Sequence, residues 1–132
     1  MNMDVRNKNK KKGLRRFINS FKYSFDGLAY AYRYEQSMTI HVGATILVIV
    51  GGIYLNISST EWLFLLLLIG LIMGIELLNT SIEATIDLIS PNIHPLAKVA
   101  KDTASAAVFI LSLVAVIGGL AIFLPKLIVL LF

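Results

Sequence analysis

Glu76, Asn79, Glu83 and Asp87 stand at offsets of 0, 3, 7 and 11 in the segment Glu-Leu-Leu-Asn-Thr-Ser-Ile-Glu-Ala-Thr-Ile-Asp. On a helix these offsets fall within roughly 80° of arc and run about 16 Å along the axis. Three carboxylates and an amide on one face offer hard oxygen ligands and a proton acceptor. Such ligands suit Mg²⁺, which keeps several waters and is commonly shared with substrate phosphates. A later set carries the opposite sign: Lys98, Lys101, Asp102 and Ser105 share a helical face through spacings of three and four. Glu35 precedes an apolar stretch and adds another acid from a separate segment. Acids that orient a cation, beside lysines that neutralise phosphate, suit phosphoryl transfer, where catalysis is mostly positioning and charge neutralisation. A packing seam between helices would draw on Asn, Ser and Thr more readily than on three acids.

The elements that must position these groups are membrane helices. The chain has 132 residues, of which 57% are hydrophobic, enough for one domain. Residues 103–124 carry no charge, residues 62–75 are charge-free and lead into the acidic face, and 38–57 contain only His41. These windows have the length and purity of spanning helices. The expected fold is an all-α integral membrane protein with spans at about 38–57, 62–88 and 96–125. Ahead of them Leu14, Phe17, Ile18, Phe21, Phe25, Leu28 and Tyr32 keep one face of a helix over 14–34, the pattern of an amphipathic helix lying in the interface. Residues 1–13 read as a basic, disordered N-terminus in which Lys10, Lys11 and Lys12 attract anionic lipid, and 14–132 as the single folded domain. Nine of the 12 Lys and Arg residues precede residue 34, which places the N-terminus and the acidic face on the cytoplasmic side of the cell membrane.

Cysteine is absent, which excludes disulfides and thiolate metal sites. The sequence has no glycine-rich phosphate loop, no kinase catalytic loop and no dinucleotide fingerprint. The pattern alone therefore reaches a polar site at a membrane interface. It leaves open a small cation transporter protomer, since intramembrane acids also serve ion passage. The acids cluster at one interface, with Lys101 to complement them, which favours transfer chemistry over transport.

The block from Glu76 to Asp87, with Lys101-Asp102-Thr-Ala-Ser105-Ala-Ala-Val108 and Glu35 ahead of the first span, resembles the signature of the bacterial diacylglycerol kinase family, which includes the undecaprenol kinases. The resemblance covers about residues 14–125 and the same three-span plan. It implies a homotrimer with active sites shared between subunits, transferring the γ-phosphate of ATP, with Mg²⁺, to a lipid hydroxyl. It implies Glu76 as general base near that hydroxyl, with Glu35 and Glu83 holding Mg²⁺ and orienting the β- and γ-phosphates. Asn79 and Asp87 take supporting places. Arg16 and Tyr23 match nucleotide contacts from the surface helix, Asn92 and His94 the loop over the nucleotide, Lys101 the lysine on phosphate and Asp102 the residue beside adenine. Ser105 matches a place near the lipid acceptor. The run His94-Pro95-Leu-Ala-Lys98-Val-Ala-Lys101-Asp102, and Arg33-Tyr34-Glu35 followed by His41, resemble the undecaprenol kinase branch, with diacylglycerol as the second acceptor. No nucleic-acid partner is expected.

Overall fold

A computed structural model describes residues 13–92 and 94–132. The expectation of a disordered, lipid-attracting start at residues 1–12 lies outside the described residues. Four helices follow in order: α1 (Leu14–Tyr34), α2 (Gln36–Tyr54), α3 (Ser59–Ile89) and α4 (Pro95–Leu131). Among the described residues there are no strands. The last three helices are long and apolar enough to cross a membrane. The 31 residues of α3 rise about 46 Å, well beyond the roughly 30 Å of hydrocarbon, so its ends reach into the interfaces.

Local chemistry sets the boundaries. One residue, Glu35, separates α1 from α2, with extended backbone (φ −104°, ψ 115°) and its N–H donating to the Ala31 carbonyl at 2.8 Å. α2 stops at Tyr54, short of the expected residue 57, because Asn56 turns left-handed at φ 50°. The Ile57 N–H then reaches the Gly52 carbonyl at 3.1 Å and the Asn56 N–H that of Ile53 at 3.2 Å. Those two bonds make a Schellman motif, with Asn tolerated at the left-handed position. Ser58 caps α3 reciprocally: its N–H donates to Glu61 Oε2 at 2.7 Å, and its Oγ accepts from the Glu61 N–H at 3.3 Å. His94 caps α4, its Nδ1 accepting from the Leu96 N–H at 3.2 Å, with Pro95 in the first helical position. α4 continues through Pro125 to Leu131, beyond the expected end at 125. Neighbouring helices and local adjustment let membrane helices carry a proline that would break a helix in water.

The buried seam lies on α3. Leu65, Leu68, Ile72, Glu76 and Asn79 follow one another at steps of three and four, all buried, with Thr80 beside them. One continuous face thus changes from leucine to carboxylate as it nears the inner end. α4 packs along α3 and supplies Val108, while α1 and α2 meet around Ala31 and Met38, which are 0% and 1% exposed. Glu61 and Lys126 join the outer ends of α3 and α4 at 3.3 Å. The apolar face of α1 is open: Leu14, Phe17, Ile18, Phe21 and Phe25 are each more than half exposed, as suits contact with lipid.

Gly52 marks a close approach of α2 to the start of α3. A Cβ there would lie 2.7 and 2.8 Å from Trp62 ring atoms and 3.0 Å from Ile57 Cδ1. Gly52→Ala is therefore expected to destabilise the fold by about 1–3 kcal/mol, the usual cost of overpacking. The check is the unfolding midpoint in detergent, which should fall while the activity of the folded fraction is kept.

Candidate active site

The site begins with Glu76, which is only 1% exposed although it carries a carboxylate. Its Oε1 accepts a hydrogen bond from the Ser37 hydroxyl of α2, 39 residues away in sequence. One turn on, Thr80 Oγ1 donates to the Glu76 backbone carbonyl at 3.1 Å. Asn79 Nδ2 donates to Glu83 Oε1 at 3.0 Å, which links the middle of the polar face to its inner acid. The other amide atom, Asn79 Oδ1, is buried and has no hydrogen-bond partner. An unmatched acceptor of this kind costs about 1–3 kcal/mol and calls for a donor.

Glu35 meets this face from the joint between α1 and α2. Its carboxyl is held above the ordinary range, first by desolvation and then by repulsion from Glu83 and Glu76. The three acids are thus electrostatic neighbours, although no set of three His, Asp or Glu side chains among the described residues is assembled to hold a metal alone. Lys101 pairs with Asp87 and Lys98 with Asp102. These pairs border a pocket of about 390 Å³ that Asp87, Asn92, His94, Lys98, Lys101 and Asp102 help to line. The fold therefore brings Asn92, His94, Lys101 and Asp102 together, one turn of α3 from Glu83.

Other expected residues stay apart from that pocket within one chain. Arg16 is exposed on the first turns of α1. Tyr23 is 67% exposed and lines a separate groove between α1 and α3, about 470 Å³ in volume, with Gly27, Thr80 and Ala84. Ser105 is exposed on α4, and no side-chain hydrogen bond fixes it. Two residues escaped the sequence reading. Thr80 carried a visible signal, the step of four from Glu76. Ser37 carried none, since nothing in local spacing links the start of α2 to the middle of α3.

Long apolar helices that bury a carboxylate and gather lysines near one end define a multi-pass membrane protein with a polar site at the ends of its spans. Residues 22–123 match the prokaryotic diacylglycerol kinase family, and the chain belongs to it. It is a lipid kinase, a phosphotransferase that uses ATP. The chain is 44% identical to the undecaprenol kinase of Bacillus subtilis (strain 168) over 114 residues, 86% of this chain and 93% of that protein. It is 38% identical to the diacylglycerol kinase of Pseudomonas aeruginosa over 74% of this chain and 80% of the other. It is 36% identical to that of Escherichia coli (strain K12) over 80% and 86%.

The raised carboxyl of Glu35 has a consequence for stability. An acid whose folded pKa lies above its unfolded value adds stability when protonated and loses it as pH rises through the folded value. Glu35→Gln cannot ionise. In EDTA it is expected to unfold at a higher temperature than the parent at pH 7.5, with the gap closing below pH 4.5, the ordinary value of the group. Thermal unfolding across that pH range checks it, and no gain at pH 7.5 would contradict it.

Proposed function

We propose that this chain transfers the γ-phosphate of ATP to the hydroxyl of undecaprenol, giving undecaprenyl phosphate. The observation that carries the acceptor is the 44% identity spanning 93% of an undecaprenol kinase. The observation that carries the chemistry is Glu76, a carboxylate buried at membrane depth with a hydroxyl on it. Diacylglycerol is the second reading, favoured by the relatives named diacylglycerol kinases at 36% and 38% identity.

In this reading the lipid hydroxyl lies against Glu76, which accepts its proton as the oxygen bonds to the γ-phosphorus. The bond from that phosphorus to the β-phosphate oxygen breaks, and ADP leaves with the electron pair. Lys101 stands where it can exchange Asp87 for phosphate, because both partners of that pair are partly exposed and such pairs contribute only about 0–1 kcal/mol. Asn92, His94 and Asp102 enclose the nucleotide pocket, and Arg16 and Tyr23 approach it from α1 of a neighbouring subunit. Ser105 borders the lipid acceptor, and Asn79 and Asp87 hold the polar face of α3 in register.

The residues present fit Mg²⁺. Glu35 and Glu83 are close enough to repel each other and have no fixed cation between them, and the metal ordinarily takes one or two carboxylates with phosphate oxygens and water. When bound, it would neutralise charge on the β- and γ-phosphates. Glu35 and Glu83 would hold it, and Asn79, bonded to Glu83, keeps that acid turned toward Glu35.

The assembly proposed is a homotrimer whose sites are shared between subunits. Two observations support sharing: Arg16 and Tyr23 do not line the Lys101 pocket of their own chain, and Asn79 Oδ1 lacks a donor. The cytoplasmic face is proposed for the site, from the lysines and arginines crowded before residue 34.

Phosphorylation of undecaprenol and diacylglycerol by the purified protein with MgATP in mixed micelles tests the acceptor. The expected result is a higher kcat/KM for undecaprenol and a loss of about 10²–10⁴ in kcat for Glu76→Gln, the usual contribution of a general base. Preference for diacylglycerol would replace the acceptor and keep the chemistry. Sharing has its own test. Two inactive variants, Arg16→Ala and Glu76→Gln, are expected to recover activity when unfolded together and reassembled as mixed oligomers. Strictly additive, inactive mixtures would mean that each site belongs to one chain.

A further inference from the structure

The carboxylate of Glu76 has few ways to be held. Thr80 Oγ1 is turned to the Glu76 backbone, and the Asn79 amide is turned to Glu83. Among the described residues the one side chain hydrogen-bonded to the carboxylate is Ser37. A glutamate has three rotatable side-chain bonds, and a base must meet its proton within about 2.6–3.2 Å. Something must choose the rotamer, and among the described residues only Ser37 hydrogen-bonds the atoms concerned.

The joint that carries Ser37 is short and packed on both sides. Glu35 is the sole residue between α1 and α2, its backbone bonded back to Ala31, and Ala31 and Met38 on either side are fully buried. Glu35 and Ser37 therefore move as one unit. On α3 the acids they face, Glu83 and Glu76, are seven residues or about 10 Å apart. The joint thus meets α3 at two points, with Glu35 near the inner acid and Ser37 on the buried one.

We propose that Ser37 is the positioning residue of the general base. Its hydroxyl occupies Oε1 of Glu76, fixes the carboxylate rotamer and leaves Oε2 to accept the proton of the lipid hydroxyl. The same joint sets Glu35, so the acid on the phosphate side and the base on the lipid side keep one mutual distance. The proposal rests on the reading of Glu76 as the base.

The test compares Ser37→Ala, Ser37→Thr, Glu76→Gln and the double variant Ser37→Ala/Glu76→Gln, each as the full chain in mixed micelles. Ser37→Ala is expected to lower kcat about 10- to 100-fold, the scale of a small misplacement of reacting groups, with KM for ATP and for lipid unchanged. Ser37→Thr keeps the hydroxyl and should recover most of the rate. In the Glu76→Gln background Ser37→Ala should cost nothing more, the non-additivity of two residues acting as one unit. An unchanged or raised kcat in Ser37→Ala, a loss that Thr fails to recover, or a loss that appears in KM would overturn the role of Ser37. If Glu76→Gln itself stays active, the base assignment falls, and the role of Ser37 with it. A dead Glu76→Gln beside a fully active Ser37→Ala would remove the positioning role alone.

Discussion

A carboxylate buried among membrane helices, hydrogen-bonded by Ser37 and, among the described residues, paired with no lysine or arginine, is the constraint around which this chain is arranged. An unpaired ionised group in hydrocarbon is costly by several kcal/mol even on the mildest scales. Glu76 therefore cannot face lipid, and α3 turns the whole ladder from Leu65 to Asn79 inward. That rotation fixes the rest: it aims Glu83 toward the α1–α2 joint and leaves Asp87 at the rim, where Lys101 reaches it across the turn from α3 to α4. The length of α3 has the same origin. A helix of ordinary spanning length would end near Glu76, whereas this one runs on far enough to carry its acids out of hydrocarbon.

The fixed charges are graded along that axis. Lys98, Lys101, Asp87 and Asp102 form two ion pairs around the pocket at the C-terminal end of α3, where water weakens them and phosphate can compete. Deeper in, Glu83 and Glu76 repel Glu35, and none of the three is ion-paired among the described residues. A substrate carrying its own cation matches this order: lysines at the rim for phosphate, acids further in for the metal, a hydroxyl-bearing carboxylate last, next to lipid. Electrostatics alone would thus orient a nucleotide before any shape is read.

Much of this was legible in the residues. A face of three acids and an amide has a helical period, and a helix converts period into position without further information. What was not legible depends on pairs distant in sequence or on the solvent. The Ser37–Glu76 contact spans 39 residues, so no spacing rule reaches it. The passage of α4 through Pro125 reflects lipid, which offers a freed carbonyl no water and so favours keeping the helix. The end of α2 turned on Asn56 adopting a left-handed turn, an option Asn has but does not always take. Arg16 and Tyr23 were assigned by resemblance, and within one chain nothing draws them to the pocket they are assigned to.

That last point bears on how association should be argued for a protein of this kind. Leu47, Val129 and Leu131 are each at least 72% exposed, and in water such faces would demand a partner. In a bilayer they demand nothing, because lipid tails are as apolar as leucine. Unmatched polar groups are the informative ones, since hydrocarbon offers them no substitute. Asn79 Oδ1 is such a group: it accepts nothing among the described residues, and the lipid tail has no donor to give it. In the proposed reading its donor would come from the acceptor hydroxyl, from water, or from a neighbouring subunit. In that reading this amide stands one turn from Glu76 and is bonded to Glu83, so substrate, metal and assembly would all bear on it.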